Sequence, residues 1–372
     1  MKKTNIFLML SMLFAALILT SCSKKVPDYA KLIPDDADVV VRVDVRQLAA
    51  KCGFGKDDKM SGKLEKTLTQ GLGEKAQKKV AAVMKSPAQL GLDLRDPVLL
   101  YFCRERGEFG MAGTVYKADR FADFLNVMGE ETGSGKVSKT DDLNYITLSD
   151  VLFVFNDDWF FVTNQSEDQT PQAQAKAIAK RYASEKNPWA ENEAFRRVCK
   201  KGGVMQAYVN GNKLYQTVYE LFGEYTCYYV DESGEAPADE VTTVFDKLND
   251  SQGIDVRNMD GVLDISMERA ELKLSLEAVP CNDQGRCQVA KIDHLLGGKK
   301  HGLYMRMGID LLAASRQGLI DDYVLGFLRQ WIHYVELKYE GDARMTYRLV
   351  TRDITKTPME SFISLCKKEL GL

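Results

Sequence analysis

Three kinds of side chain could carry chemistry in this 372-residue chain: eight cysteines, three histidines and a few short acidic clusters. His333 lies in Trp331-Ile-His-Tyr-Val-Glu-Leu-Lys-Tyr339. There it falls on the same side of an alternating run as Trp331, Val335 and Leu337, the position of a hydrogen-bonded core histidine. His294 and His301 are separated by Gly297-Gly298, and neither has a cysteine or carboxylate at ligand spacing, so no metal is expected. Asp35, Asp36 and Asp38 form one acidic group and Asp157-Asp158 another; both sit where a turn meets a strand, which favours solvated turn carboxylates over a catalytic pair. Gly129-Glu-Glu-Thr-Gly-Ser-Gly-Lys136 has the wrong glycine spacing for a phosphate loop, and Val137 stands where a hydroxyl would bind Mg²⁺. Cys52-Gly-Phe-Gly55 lacks the third glycine of a dinucleotide fingerprint, and no Gly-x-Ser-x-Gly elbow occurs. No catalytic residue and no cofactor is therefore assigned.

The cysteines divide by position. Lys2 and Lys3 precede an apolar stretch from Ile6 to Leu19 that is too short to span a membrane comfortably, and Leu19-Thr20-Ser21-Cys22 follows. These four residues resemble the lipobox of bacterial lipoproteins. That resemblance implies a signal peptide over 1–21, lipid on Cys22 as the mature N-terminus, and a tether over 22–32. Ser23 is not the aspartate that marks inner-membrane retention in such lipoproteins, and no acidic export run follows. The expected location is the cell envelope, on the periplasmic face of the outer membrane. Cys281-Asn-Asp-Gln-Gly-Arg-Cys287 reads as a turn-like loop that either closes a small disulfide or carries two free thiols. Cys52, Cys103, Cys199, Cys227 and Cys366 are then an odd remainder.

Composition restricts the partners. Hydrophobic residues make up 45% and charged residues 28%, which excludes disorder and a polytopic membrane protein. Without Lys2 and Lys3, 48 of the 50 basic residues face 53 acidic ones. No basic stripe appears, so nucleic acid is not an expected partner. The lysine-rich stretch from Lys56 to Lys85 includes Asp57, Asp58, Glu65 and Glu74 and reads as a solvated helix face.

The elements that must position these residues show two periods. Val39 to Val45, Leu263 to Met267, Leu272 to Leu276 and Met345 to Leu349 alternate apolar with polar, the pattern of antiparallel sheet with one face packed and one wet. Turns at Arg106-Gly107, Asn156-Asp158, Arg269-Ala270 and Glu340-Asp342 join hairpins. Helices are expected over Ser61–Met84, Asp119–Met128, Gln172–Ser184, Lys213–Phe222, Leu311–Leu328 and Thr357–Leu370. The expected fold is α+β, with antiparallel sheets covered by helices on one face. Strand-to-helix joints at Val41–Leu48, Ala207–Leu214 and Met305–Leu312 share a pattern, each followed by a hairpin, which suggests repeated strand-helix-hairpin units. The expected halves are 33–200 and 201–372, parted near Lys200-Lys201-Gly202-Gly203.

Leu32-Ile-Pro-Asp-Asp-Ala-Asp-Val-Val-Val-Arg-Val-Asp-Val45 and Ser86-Pro-Ala-Gln-Leu-Gly-Leu-Asp-Leu-Arg-Asp-Pro-Val98 resemble the two markers of an uncharacterised Bacteroidetes lipoprotein family, a domain of unknown function. The resemblance implies no catalytic or binding residue.

One hairpin departs from the alternation. Val151-Leu-Phe-Val-Phe155 and Trp159-Phe-Phe-Val162 are apolar on both faces. Such a hairpin is either central and covered on both sides, or part of a concave wall on which Phe153, Phe155, Trp159 and Phe161 contact an apolar ligand. Three functions are thus in view. The first is a non-enzymatic, membrane-anchored lipoprotein that binds or organises an envelope partner. The second is a carrier or sensor of an apolar ligand, and the third a carboxylate-dependent envelope hydrolase.

Overall fold

Val39-Val40-Val41-Arg42-Val43 forms β1, the strand on which the whole sheet is centred. A computed structural model describes residues 25–51, 66, 69–213, 255–296, 303–308 and 330–369. The signal segment, Cys22, Cys52, Cys227 and His301 lie outside them, as do most of the two helices expected over Lys213–Phe222 and Leu311–Leu328.

After β1 the chain forms α1 (Val45–Lys51), α2 (Glu74–Lys85), β2 (Leu92–Asp93), β3 (Val98–Cys103), β4 (Glu108–Val115) and α3 (Ala118–Thr132). It continues through β5 (Ser138–Thr140), β6 (Leu143–Leu148), β7 (Val151–Phe155), β8 (Trp159–Asn164), α4 (Pro171–Tyr182), α5 (Pro188–Glu191), α6 (Glu193–Lys200) and β9 (Met205–Val209). The remainder is β10 (Met259–Glu268), β11 (Glu271–Pro280), α7 (Asp283–Leu295), β12 (Tyr304–Gly308), β13 (Ile332–Gly341), β14 (Arg344–Thr351) and α8 (Pro358–Glu369).

Among the described residues, all fourteen strands join one antiparallel sheet in the order β12-β13-β14-β11-β10-β9-β1-β3-β4-β8-β7-β6-β5, with β2 beside β4. β1 and β9 meet antiparallel in the middle, Val41 opposite Ala207. Outward from β1 the order runs β3, β4, β8, β7, β6, β5; outward from β9 it runs β10, β11, β14, β13, β12, with no counterpart of β5 among the described residues. The fold is thus mixed α+β around a large antiparallel sheet.

The covering of the sheet corrects one expectation. Around β3 to β8 helices pack on both faces. On one side Val80 and Val83 of α2 and Phe121, Phe124 and Leu125 of α3 meet Phe153, Phe155, Phe160 and Val162. On the other, Ile178 of α4, Trp189 of α5 and Phe195 and Val198 of α6 meet Leu99, Tyr101, Trp159 and Phe161. Strands apolar at consecutive positions would strand half their side chains in water if only one face were covered. The alternation holds in β10 to β14. Ile265, Leu274, Tyr347, Leu337 and Met305 form one cross-strand row on the apolar face, where Tyr347 and Met305 stay exposed. Asp264, Ser275, Thr346, Lys338 and Tyr304 form a row on the polar face.

Local chemistry moves several boundaries. β1 stops at Val43 rather than Val45 because the Asp44 carboxylate accepts the Gln47 amide N–H at 2.9 Å and starts α1. The segment expected as a loop over Cys281–Cys287 is mostly the first turns of α7, capped by Asn282 Oδ1 accepting the Gly285 N–H at 2.9 Å. Gly285 is a close-approach residue there: a Cβ would lie 2.2 Å from the Asn258 carbonyl oxygen. His333 is exposed, not buried, because a register shift between Ile332 and Tyr334 turns it out of the strand alternation.

Candidate functional site

Three short stretches between Gln330 and Leu365 meet at one end of the sheet. Gln330 and Trp331 lead into β13, Arg352 and Asp353 leave β14, and Ser361, Ser364 and Leu365 lie along one side of α8 at helical spacing. Between them runs a cleft of about 410 Å³, within the range of about 300–1,000 Å³ typical of small-molecule pockets. The two serines create the room, since larger side chains at those positions would fill the trough.

α8 is held firmly. The Glu360 amide N–H donates to Thr357 Oγ1 at 3.2 Å while the Thr357 N–H donates to Glu360 Oε2 at 3.0 Å, a reciprocal cap followed by Pro358 in the first turn. The Thr357 hydroxyl also donates to the Lys51 carbonyl of α1. Trp331 is fixed by its indole N–H, which donates to the Pro358 carbonyl at 3.1 Å, and by an edge-on contact with Phe362 at 5.0 Å.

Asp353 is the one carboxylate among the residues lining the cleft. The Thr355 hydroxyl donates to it at 2.6 Å and the Thr355 amide N–H at 3.0 Å, with the Lys356 ammonium 3.4 Å away. These groups hold the carboxyl below its ordinary range. It can accept hydrogen bonds but has no proton to give near neutral pH. Lys356 also donates to Ser364 Oγ at 3.1 Å, tying the loop to α8.

A carboxyl shifted the other way sits at the far end of the strands. Burial pushes Asp260 up, against hydrogen bonds from the Gly211 amide N–H at 3.3 Å, Cys281, Tyr208 and Asn192. Asp260 pairs with Val279 and the cleft end with Glu271, so the two sites stand about 26 Å apart at roughly 3.3 Å per residue of β11. Because the folded state holds the Asp260 proton more tightly than the unfolded chain, stability should fall as pH rises from about 4 through the raised folded value. Asp260→Asn should remove that step, read from urea unfolding at a series of pH values.

The other candidates have structural settings. Phe153 and Phe155 enter one core and Trp159 and Phe161 the other, so the four do not line a common wall. Cys281 and Cys287 are exposed free thiols, and burial together with Asp260 pushes the Cys281 thiol up to about 12. Asp38 accepts the Arg104 amide N–H at 2.5 Å and pairs with Lys213 at 3.3 Å; Asp36 pairs with Arg106 at 2.6 Å. Asp157 and Asp158 are exposed in the β7–β8 turn. Among the described residues no group of three His, Cys, Asp or Glu could hold a metal ion, and no helix is long and apolar enough to cross a membrane.

Reading the sequence missed the cleft. Its only local signal is the Ser361, Ser364, Leu365 spacing on a helix with a proline start.

Comparison with known proteins gives a family and distant folds. Residues 29–244 match a family described as Domain of unknown function (DUF4836). No curated protein matches the chain. Among solved structures, crystal form I of TP0453 is 11% identical with a TM-score of 0.38, covering 92% of this chain and 98% of that one. Crystal form IV of TP0453 is also 11% identical, with a TM-score of 0.37 and coverage of 95% and 98%.

Proposed function

We propose that this chain, which belongs to the domain-of-unknown-function family DUF4836, is a non-enzymatic binding lipoprotein of the cell envelope, using the cleft at the end of β13 and β14 as its binding place. Lipid on Cys22 would tether it to the periplasmic face of the outer membrane. The observation that carries binding over catalysis is the state of Asp353. Carboxylate-dependent hydrolysis needs two carboxyl groups within about 10 Å, one of them kept protonated. The cleft is lined by a single carboxylate held ionised, while the raised carboxyl, Asp260, belongs to the other end of the sheet.

The tether reading rests on Leu19-Thr20-Ser21-Cys22. Several acyl chains on one cysteine anchor firmly, since each buried methylene contributes about 0.8 kcal/mol. Cys22→Ala should move the protein from the membrane fraction to the soluble fraction of its native envelope and abolish incorporation of a labelled fatty acid. Unchanged membrane recovery with no acyl label on the parent protein would overturn the tether.

We read the body as two related halves, 33–200 and 201–372, built from strand-helix-hairpin units. Support comes from the matching outward strand orders on the two sides of β1 and β9, and from α6 ending at Lys200. The joints at Val41, Ala207 and Met305 fall on or beside β1, β9 and β12. Each of these strands is followed along the chain by a hairpin, β3–β4, β10–β11 and β13–β14.

A further inference from the structure

We infer that the cleft between α8 and the β13 and β14 ends takes a short neutral saccharide; the inference rests on the binding reading above and names its ligand class. The lining is a mixed set: the Trp331 indole, the Asp353 carboxylate, the Arg352 guanidinium, the Gln330 carboxamide and the hydroxyls of Ser361 and Ser364. A sugar ring presents hydroxyls that both donate and accept, together with C–H faces that pack on an aromatic ring. The cleft supplies a partner for each of these features. Asp353 accepts from a hydroxyl, Arg352 donates to one, and Gln330 and the serines do either.

Other ligand classes fit less well. Phosphate would meet the ionised Asp353 on one wall. A fatty acyl chain would find only Trp331 and Leu365 as apolar surface, with charged and polar groups to desolvate around them. A divalent cation would have one carboxylate and a neighbouring guanidinium. The placing of Trp331 and of the α8 backbone by these bonds means that the ring and the helix carrying the serines are positioned before any ligand arrives, which lowers the entropic cost of binding.

The test is saturation-transfer NMR on the full chain in detergent. The probes are N-acetylglucosamine, its β-1,4 disaccharide, glucose and mannose, with inorganic phosphate and palmitate as comparisons. Transfer to ring protons of at least one saccharide is expected. It should weaken at least tenfold in affinity in Asp353→Asn, and likewise in Ser364→Leu, which fills the trough without removing the indole. Both variants should keep the parent melting temperature within a few degrees, so that loss of binding is separable from loss of fold. Absence of transfer to every saccharide, or transfer unaffected by both variants, overturns the saccharide proposal. Binding of phosphate or palmitate that these variants abolish would also overturn it while leaving the binding reading in place. Release of a cleaved product from the disaccharide would instead sink the non-enzymatic reading.

Discussion

Truncating Phe155 or Phe161 to alanine is expected to destabilise the fold by about 3–5 kcal/mol in either case, as for other fully buried aromatic rings. Phe155 meets Phe121 of α3 edge-on at 4.9 Å in one core, and Phe161 stacks on Tyr101 at 5.5 Å in the other. Each ring is surrounded by protein and lies in a strand whose other face is also covered, so the cavity left behind can collapse only partly. Chemical denaturation with the midpoint and slope both recorded measures the effect. Rings lining a ligand wall would behave otherwise: their removal would spare stability and weaken binding of an apolar probe. Near-parental midpoints for both variants would therefore reinstate an apolar-ligand role for this hairpin.

Glu277→Gln is expected to cost about 2–4 kcal/mol, somewhat below or within the range for breaking a buried ion pair. Glu277 projects from the polar face of β11 and is almost wholly buried, with only 4% of its side chain exposed. Arg197 of α6 donates to its Oε1, Lys201 Nζ lies 3.0 Å from Oε2, and Arg344 of β14 lies 3.4 Å away. Burial alone would push this carboxyl up, yet Lys201, Arg197 and Arg344 outweigh it and hold the group below its ordinary range. The sign follows. A depressed folded value means the stabilisation is complete above the unfolded carboxyl near 4.3 and is lost as pH falls through the folded value. The variant should thus be less stable at neutral pH and lose part of its acid sensitivity. The three cations keep some access to water, which places the expected loss below that of a fully sealed charge. Equal stability of parent and variant at pH 7 would contradict this account.

The alternation of β10, β11 and β14 was legible in the sequence as a period of two that survives to Leu276 and Leu349, but which face is packed was not: Ser275, Glu277 and Thr346 are buried while Leu276 and Tyr347 are exposed. The hairpin of β7 and β8 was legible as an exception, but its aromatic residues alone could not separate two protein-covered faces from a ligand wall. That distinction depends on α3 and α4, which come from before and after the hairpin. The start of α7 was masked by Asn282, Asp283 and Gly285, residues that usually mark turns. Here Asn282 caps a helix and Gly285 admits the Asn258 carbonyl. His333 read as a core residue because alternation was carried through a position where the register slips. The Glu277 cluster joins Arg197 to Glu277, 80 positions on, and to Arg344, farther still, while the cleft joins two strand ends and a helix. No local spacing encodes such a meeting; it follows only from the strand order.

The antiparallel seam between β1 and β9 has a consequence for how the molecule can be divided. Five residues on each side exchange backbone pairing across it, from Val39 opposite Val209 to Val43 opposite Met205. Neither of the two halves proposed above would end its own sheet at that line. A chain cut after Lys200 would bare the β1 flank on one piece and the β9 flank on the other, each a row of amide and carbonyl groups ready to join another strand. Because the two flanks are antiparallel, two copies of one such piece would be able to pair about a two-fold axis, each taking the place of the piece removed. The β1–β9 pairing thus keeps covered two strand flanks that would otherwise be open to another chain.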